Sequence, residues 1–149
     1  MPRTDPVCRP GERPILGFER AAGRRDVYLC EGPFDYLTAA AWRLPAFSSC
    51  GTAIPAERLG FLARARIVYG VLDADPAGRA GAERFGQMFG PRWVPLALPE
   101  GSDLSDLARR PGGRTEFFRL LAAVRSTAED EGAVAHDQYR QSAGRQGKE

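Results

Sequence analysis

The pattern of apolar and polar positions predicts strands and helices that alternate from Val27 onward. Short apolar runs typical of buried strands are separated by stretches with apolar residues at helical spacing. This alternation is typical of βαβ units, so we predict an α/β fold with a central, mainly parallel four-stranded sheet and helices on both faces. The predicted strands are 27–30, 45–50, 67–72 and 93–98, and the predicted helices are 34–42, 56–65, 77–89, 104–109 and 115–125.

Proline and the polar termini set the limits of this pattern. The proline inside the run WVPLAL places the fourth strand at an edge of the sheet or at a bulge. Residues 1–26 are rich in Pro, Gly and Arg and contain one apolar stretch, 14–18, so we expect a partly ordered extension that adds an edge strand or lies over the surface. Residues 27–125 are predicted to form one domain. Residues 126–149 lack an apolar period and are predicted to be a disordered tail, in which a function for the single histidine, His136, is not expected.

Composition excludes several classes of protein. No apolar run approaches the ~20 residues that a membrane span needs, and the N-terminus has no apolar segment typical of a secretory signal, so we expect a cytoplasmic location and no membrane. The net charge of +2 does not by itself indicate nucleic-acid binding. The cysteines, Cys8, Cys30 and Cys50, are odd in number and widely spaced, so we expect them to be reduced and structural.

Acidic residues follow two of the predicted strands directly. Glu31 comes after VYLC, and Asp73 and Asp75 come after IVYGVL. Residues i and i+2 of an extended segment project to the same side, and ligands of open α/β sheets bind at the carboxyl ends of the strands. If the two strands are neighbours, we therefore expect these three carboxylates to meet.

Some of the acids also have ordinary structural interpretations. Asp75 precedes Pro76 and can cap a helix while it acts as a ligand. Asp35 is assigned to the first turn of a helix, where it would offset the helix dipole. Asp103, in the segment LPEGSDLSDL, either lies at the carboxyl edge of the sheet or caps the next helix, and these two interpretations are equally supported.

A cluster of carboxylates requires a cation. Two like charges ~4 Å apart repel by roughly 4 kcal/mol at an effective dielectric of 20. Oxygen ligands without His or Cys nearby favour Mg²⁺ or Mn²⁺ over zinc. Such a site is typical of phosphoryl or nucleotidyl transfer. Gly32, directly after Glu31, would let backbone or substrate come close.

Three motifs in order resemble a known family. EGPFD, then VLDADPAGRAG, then LPEGSDLSDL, together covering Val27 to Leu107, resemble the Toprim domain of bacterial primases, topoisomerases and some nucleases. The resemblance is greatest to the primase and primase-helicase type. It implies a Toprim (Rossmann-like) fold and a site that binds Mg²⁺ or Mn²⁺.

The resemblance also implies roles for individual residues. Glu31 would be a metal ligand or an acid/base, Asp73 and Asp75 would hold Mg²⁺, and Asp103 would support the metal site. Close backbone approach would need two glycines, Gly32 and Gly78. Arg79, beside the DADPAG turn, is our candidate for a contact to a nucleotide or DNA phosphate, and a solvated helix arginine is the alternative.

The predicted function is therefore primase-like nucleotidyl transfer in DNA replication. Its implied partners are DNA, nucleoside triphosphates and a replicative helicase or another primase subunit. Only 26 residues precede the first strand and they hold no Cys/His cluster for zinc, so we expect a fragment or a partner-dependent subunit. An Mg²⁺-dependent nuclease and a non-catalytic DNA-binding module remain alternatives. A topoisomerase is rejected because the tyrosine that it requires would have no room for its accompanying domains. Three tyrosines, Tyr28, Tyr36 and Tyr69, lie in core-like positions, and the fourth, Tyr139, lies in the tail.

Overall fold

The computed structural model describes residues 13–51 and 54–145, with side chains as far as residue 131. Its four strands form one sheet in the order β2-β1-β3-β4, and every neighbouring pair is parallel. The predicted α/β fold with a mainly parallel four-stranded sheet is confirmed. Proline ends β4, which lies at an edge, as predicted. The strands are β1 (Asp26–Cys30), β2 (Ala46–Ser48), β3 (Ile67–Val71) and β4 (Trp93–Pro95).

The helices that connect the strands lie on both faces of the sheet. They are α1 (Phe18–Ala21), α2 (Pro33–Ala41), α3 (Pro76–Phe89), α4 (Leu104–Arg109) and α5 (Gly113–Arg145). The helix predicted over 56–65 is wrong, because the structure has two single 3₁₀ turns there, Ala56–Arg58 and Gly60–Leu62. Glycine disfavours a continuous helix, and Gly60 stands where the first turn would have to continue.

Side chains that alternate along the strands pack into two separate cores, one on each face of the sheet. Along β1, Val27 and Leu29 point to one face and Tyr28 and Cys30 to the other, and all four are at most 1% exposed. One core packs against α3 through residues such as Phe85, and the other packs against α4 and α5. Since both faces are covered, the free edge for a ligand is the carboxyl edge of the strands.

Within the apolar stretch 14–18, Leu16 is the residue that pairs with the sheet. It forms a single antiparallel bridge to Ser48 of β2, with hydrogen bonds in both directions. From residue 13 onward, the N-terminal segment therefore adds one bridge beside β2 and not a further strand. Cys8 lies outside the described residues.

Helix α5 continues well beyond the predicted end at residue 125. Residues 126–145 are helical, so the prediction of a disordered tail is wrong for them. This stretch contains no proline and many good helix formers, and a helix nucleated by packing at its start can extend without an apolar face. His136 lies in this helix, but its side chain is outside the described set. Among the described residues, no helix is both long and apolar enough to cross a membrane.

Candidate metal centre

Three acidic side chains meet at the carboxyl edge of the sheet. Asp35 comes from the first turn of α2, Asp73 from the loop after β3, and Asp103 from the residue that precedes α4. One carboxylate oxygen of each lies within 4.8 Å of the others. Backbone hydrogen bonds between Ala74 and the segment 101–102 hold two of these loops side by side. The edge thus concentrates negative charge from three separate parts of the chain.

Asp35 is the member of this acidic cluster that the sequence assigned to another role. Its side chain is buried, 5% exposed, and Oδ1 accepts a hydrogen bond of 3.0 Å from the backbone N–H of Ser105. Asp35 does lie in the first turn of α2, as predicted, and its carboxylate also belongs to the acidic cluster. Gly32 makes room for it, because a Cβ at that position would lie 3.3 Å from Asp35 Oδ2.

Glu31 lies beside the cluster at the end of β1. Its backbone oxygen accepts hydrogen bonds from Ser48 Oγ at 3.0 Å and from the N–H of Gly51 at 3.2 Å, which fix the turn after the strand. Its Oε2 atom is buried and has no hydrogen-bond partner among the described residues. A buried carboxylate oxygen without a donor is costly, and a bound cation would satisfy it.

Asp73 shows how strongly the acids act on one another. Burial, followed by the charges of Glu31, Asp35 and Asp103, raises the pKa of Asp73 to about 7. The pKa of Asp35 is raised for the same reasons, first burial and then its acidic neighbours, while backbone N–H groups oppose the shift. Glu31 contributes to both shifts and so lies near these acids, but the oxygens that group together are those of Asp35, Asp73 and Asp103 and not the expected set of Glu31, Asp73 and Asp75.

Asp75 takes the structural role that the sequence allowed for it. It is exposed and caps α3, and its Oδ1 accepts a hydrogen bond of 2.7 Å from the N–H of Gly78. It is not one of the three acids whose oxygens group together. Gly78 is needed for close approach, because a Cβ there would overlap the carbonyl oxygen of Asp73. Asp75 and Gly78 together fix the start of α3 against the backbone of Asp73.

Asp103 satisfies both of the interpretations that the sequence left open. It caps α4, accepting hydrogen bonds from the N–H of Asp106 at 2.6 Å and from Ser105 Oγ at 2.9 Å. Its carboxylate also belongs to the acidic cluster. These hydrogen bonds hold the side chain in place without neutralising its charge.

The donor set fits a hard divalent cation. All of the grouped ligand atoms are carboxylate oxygens, and Glu31 adds a further oxygen to which no described residue donates a hydrogen bond. Mg²⁺ and Mn²⁺ prefer such ligands, whereas zinc favours His and Cys. The thiol of Cys30 is fully buried, and burial together with Asp35 and Asp73 raises its pKa, so it stays protonated.

Asp73 of the acidic cluster also lines a cleft of about 420 Å³. Its other lining residues come from α3, from the loop after β3, and from the segment 95–100 that begins at the end of β4. Arg79 also lines the cleft; it is exposed and forms no ion pair within the described part of the chain. Arg79, for which the sequence suggested a phosphate contact, therefore lies at the cleft, and that contact stays a prediction.

The fold and the site define an α/β domain with a cation-compatible acidic centre at the carboxyl edge of its sheet. A family model described as Toprim-like matches residues 28–108, which is more than half of the chain. The chain therefore belongs to the Toprim-like family, as the sequence motifs indicated. No curated protein matches the chain.

Solved structures similar to this chain are primases. The RNA polymerase domain of Mycobacterium tuberculosis primase DnaG is 26% identical, with a TM-score of 0.61 over 74% of this chain and 41% of that one. A DnaG primase catalytic domain bound to ssDNA is 26% identical, with a TM-score of 0.60 over 74% of this chain and 39% of that one. The primase fragment of the bacteriophage T7 primase-helicase shares the fold at 18% identity, with a TM-score of 0.59 over 74% of this chain and 48% of that one. The chain thus spans less than half of the length of these structures.

Proposed function

We propose that this chain is the cation-binding module of a primase-like nucleotidyltransferase that supports RNA-primer synthesis. One observation carries the proposal: Asp35, Asp73 and Asp103 bring carboxylate oxygens within 4.8 Å of one another at one sheet edge, and Glu31 beside them has a buried oxygen with no hydrogen-bond partner among the described residues. Family membership and the likeness to primase structures support the same function.

The acidic residues would divide the work between holding a cation and handling a proton. Asp35, Asp73 and Asp103 would hold Mg²⁺ or Mn²⁺, and Glu31 would act as a further ligand or as the acid/base. When bound, the cation would stabilise charge on the phosphate and on the attacking oxygen. Asp73, whose pKa is about 7 without a cation, would give up its proton on metal binding.

Other parts of the machinery would come from elsewhere. The chain spans 30–48% of the similar primase structures, so DNA binding and substrate delivery would need a further segment or subunit. We infer that the partners are DNA, nucleoside triphosphates and either a replicative helicase or another primase subunit. The basic counterpart on this chain would be Arg79, at the cleft beside the acids.

The reaction can be tested with labelled single-stranded DNA. With the further segment or subunit supplied, we expect Mg²⁺ and nucleoside triphosphates to support extension by the wild type and not by Asp73→Asn. Glu83→Gln, which removes an exposed acid of α3, should leave extension unchanged. Shortening of the strand would indicate the nuclease. DNA binding in EDTA that is equal in wild type and Asp73→Asn, without extension or shortening, would indicate a non-catalytic module.

A direct measurement of cation binding accompanies this assay. Calorimetric titration with Mn²⁺ does not depend on a partner or on a template. Binding by the wild type that is weakened in Asp73→Asn and retained in Glu83→Gln supports the proposal. Absence of Mn²⁺ binding by the wild type would contradict it.

A further inference from the structure

A second concave surface lies at the amino ends of β1 and β2, at the edge of the sheet opposite the acidic cluster. Its volume is about 390 Å³. The end of α1, the turn that leads into β1 and the segment that joins α2 to β2 contribute its lining. The described lining includes Arg20, Arg24 and Arg43 together with Glu19. We refer to this surface as the arginine pocket.

The guanidinium groups of the pocket are accessible to a ligand. Arg20, Arg24 and Arg43 are exposed, and none of them forms an ion pair or a side-chain hydrogen bond with another described residue. The acidic cluster lies at the other edge, so the net charge of +2 conceals a separation of charge across the sheet. Like charges held together repel one another, and a bound anion would offset this repulsion.

Arg43 adopts a backbone conformation that arginine does not favour. It follows the end of α2 with a φ of 62°, in the left-handed region, where glycine is the common residue. A side chain at such a position costs free energy that glycine does not cost. Strain of this kind is typical of residues whose side chains have a function, and Arg43 has no internal partner among the described residues that would explain it.

We propose that the arginine pocket binds phosphate groups in the backbone of a single-stranded nucleic acid. The inference rests on the proposed function for the identity of its ligand, and it adds a contact made by this chain to those that a further segment or subunit would supply. The planar fork of arginine pairs with phosphate oxygens in a bidentate manner. A phosphate backbone requires little besides positive charge. An acidic peptide is a poorer fit, because Leu44 is buried and the pocket offers little apolar surface to peptide side chains.

The test measures binding of a labelled thymidine oligonucleotide of about ten nucleotides at low salt in EDTA, where no cation can bridge the strand to the acids. The dependence of log K on log salt concentration reports the phosphate contacts, because each contact to a single strand contributes about 0.7 to the slope. Arg20→Gln, Arg24→Gln and Arg43→Gln should each weaken binding and reduce the magnitude of the slope by about 0.7. Arg84→Gln, which removes the same charge from an exposed position of α3, is the matched control and should bind as the wild type does.

Two further variants distinguish a specific contact from a folding defect or a general effect of charge. Arg43→Gly suits the left-handed backbone, so it should melt no lower than the wild type and still bind the oligonucleotide as weakly as Arg43→Gln. Glu19→Gln removes an acid from the pocket and should tighten binding, whereas Glu83→Gln, which removes an exposed acid of α3, should not.

Three results would overturn the proposal. The first is failure of the wild type to bind the oligonucleotide in EDTA, and the second is an equal salt slope in Arg43→Gln and Arg84→Gln. The third is binding of a polyglutamate peptide that Arg43→Gln abolishes while oligonucleotide binding is unchanged, which would assign the pocket to an acidic protein.

Titration with Mn²⁺ separates this proposal from the proposed function. Mn²⁺ binding by the wild type without oligonucleotide binding overturns the arginine pocket alone. Oligonucleotide binding that depends on Arg43, without Mn²⁺ binding, overturns the cation site and leaves the arginine pocket standing.

Discussion

Asp73 is the residue on which the charges of the site converge. In the cation-free protein its pKa of about 7 lies well above the ordinary value of a carboxyl group, chiefly because of burial and because of Glu31. At pH values below the ordinary pKa of a carboxyl group, Asp73 is protonated in both the folded and the unfolded state, so the raised pKa does not change the free energy of unfolding. As the pH rises towards 7, the unfolded state ionises first, and the folded state loses stability relative to it.

This linkage predicts a pH dependence that a single substitution reduces. In EDTA, the wild type should lose stability between about pH 4 and 7 and level off above, whereas Asp73→Asn should lose less by about 1 kcal/mol, a value discounted because the carboxylate is partly exposed. Thermal melting across this range measures the difference. Parallel curves for the two proteins would contradict the assigned shift.

Substitutions of Asp75 test separately whether its carboxylate acts as a helix cap or as a metal ligand. Because its carboxylate caps α3 through the N–H of Gly78, Asp75→Asn should retain the cap and the wild-type stability, while Asp75→Ala should cost about 1 kcal/mol. Cation affinity should be close to that of the wild type in the Asn variant. A large loss of Mn²⁺ affinity in Asp75→Asn would instead restore the ligand role that the sequence motif implies.

The sequence pointed to the candidate site residues that directly follow apolar strands. Glu31 and Asp73 were recognisable because a carboxylate that leaves a buried strand must meet compensating charge. The sequence assigned Asp35 a helix-dipole role because acids in the first turn of a helix are common. The apolar residues Phe34 and Leu37 suggested the face of α2 that packs on the core, but both are exposed. The buried face of α2 instead carries Asp35 and Ala39.

Among the elements, α5 is anchored at the amino ends of the strands. Arg125 donates hydrogen bonds to Tyr28 Oη at 2.7 Å and Tyr69 Oη at 3.4 Å, and its guanidinium lies over the Tyr69 ring. The two tyrosine rings stack with centroids 5.1 Å apart. This contact joins α5 to both central strands at the end opposite the acidic cluster.

Removal of this arginine should loosen the helix without altering the site. Arg125→Met should cost about 1–3 kcal/mol, because it leaves the hydroxyl of the buried Tyr28 without its partner. Denaturant unfolding measures the loss, and hydrogen exchange should rise first in α5. The same substitution in a Tyr28→Phe background should cost less, and an equal cost in both backgrounds would show that the hydrogen bond contributes nothing. Cation affinity should be unaffected.

The elements that periodicity predicted correctly are those with a buried side. β1, β3 and α3 have clear patterns, and the structure reproduces them to within a few residues. The helix prediction for 56–65 failed because the apolar spacing did not include the free-energy cost of placing Gly60 inside a helix. The predicted end of α5 failed for the opposite reason, because a helix that packs at one end can continue where no apolar period remains.

At the scale of the whole molecule, cation binding and folding should be coupled. The acids repel one another in the folded protein, and a cation that binds only this state stabilises it by mass action, by about 2.7 kcal/mol at a hundredfold excess over Kd. Mg²⁺ or Mn²⁺ should raise the melting temperature of the wild type, and chelation should reverse the effect. Glu31→Gln and Asp73→Asn should respond less. Identical responses in all three proteins would argue against a metal centre.

The sequence did not predict the order of the strands in the sheet. The acids meet because β1 and β3 are neighbours at the centre of the sheet, with β2 and β4 outside them. Alternation of strands and helices predicts a parallel sheet but does not fix which strands pair, since that depends on how the connecting helices pack. The order therefore became known only from the structure, and with it the place of Asp103.

Cys30 sits inside the central strand, fully buried, with acids on its side of the sheet. A thiol in this place is shielded from alkylating reagents until the strands separate, whereas Cys50 is partly accessible. In a background with Cys8→Ser and Cys50→Ser, the rate of thiol labelling would therefore report how often the sheet opens. Divalent ions should slow that labelling, so the reactivity of Cys30 would measure how cation binding changes the rate at which the sheet opens.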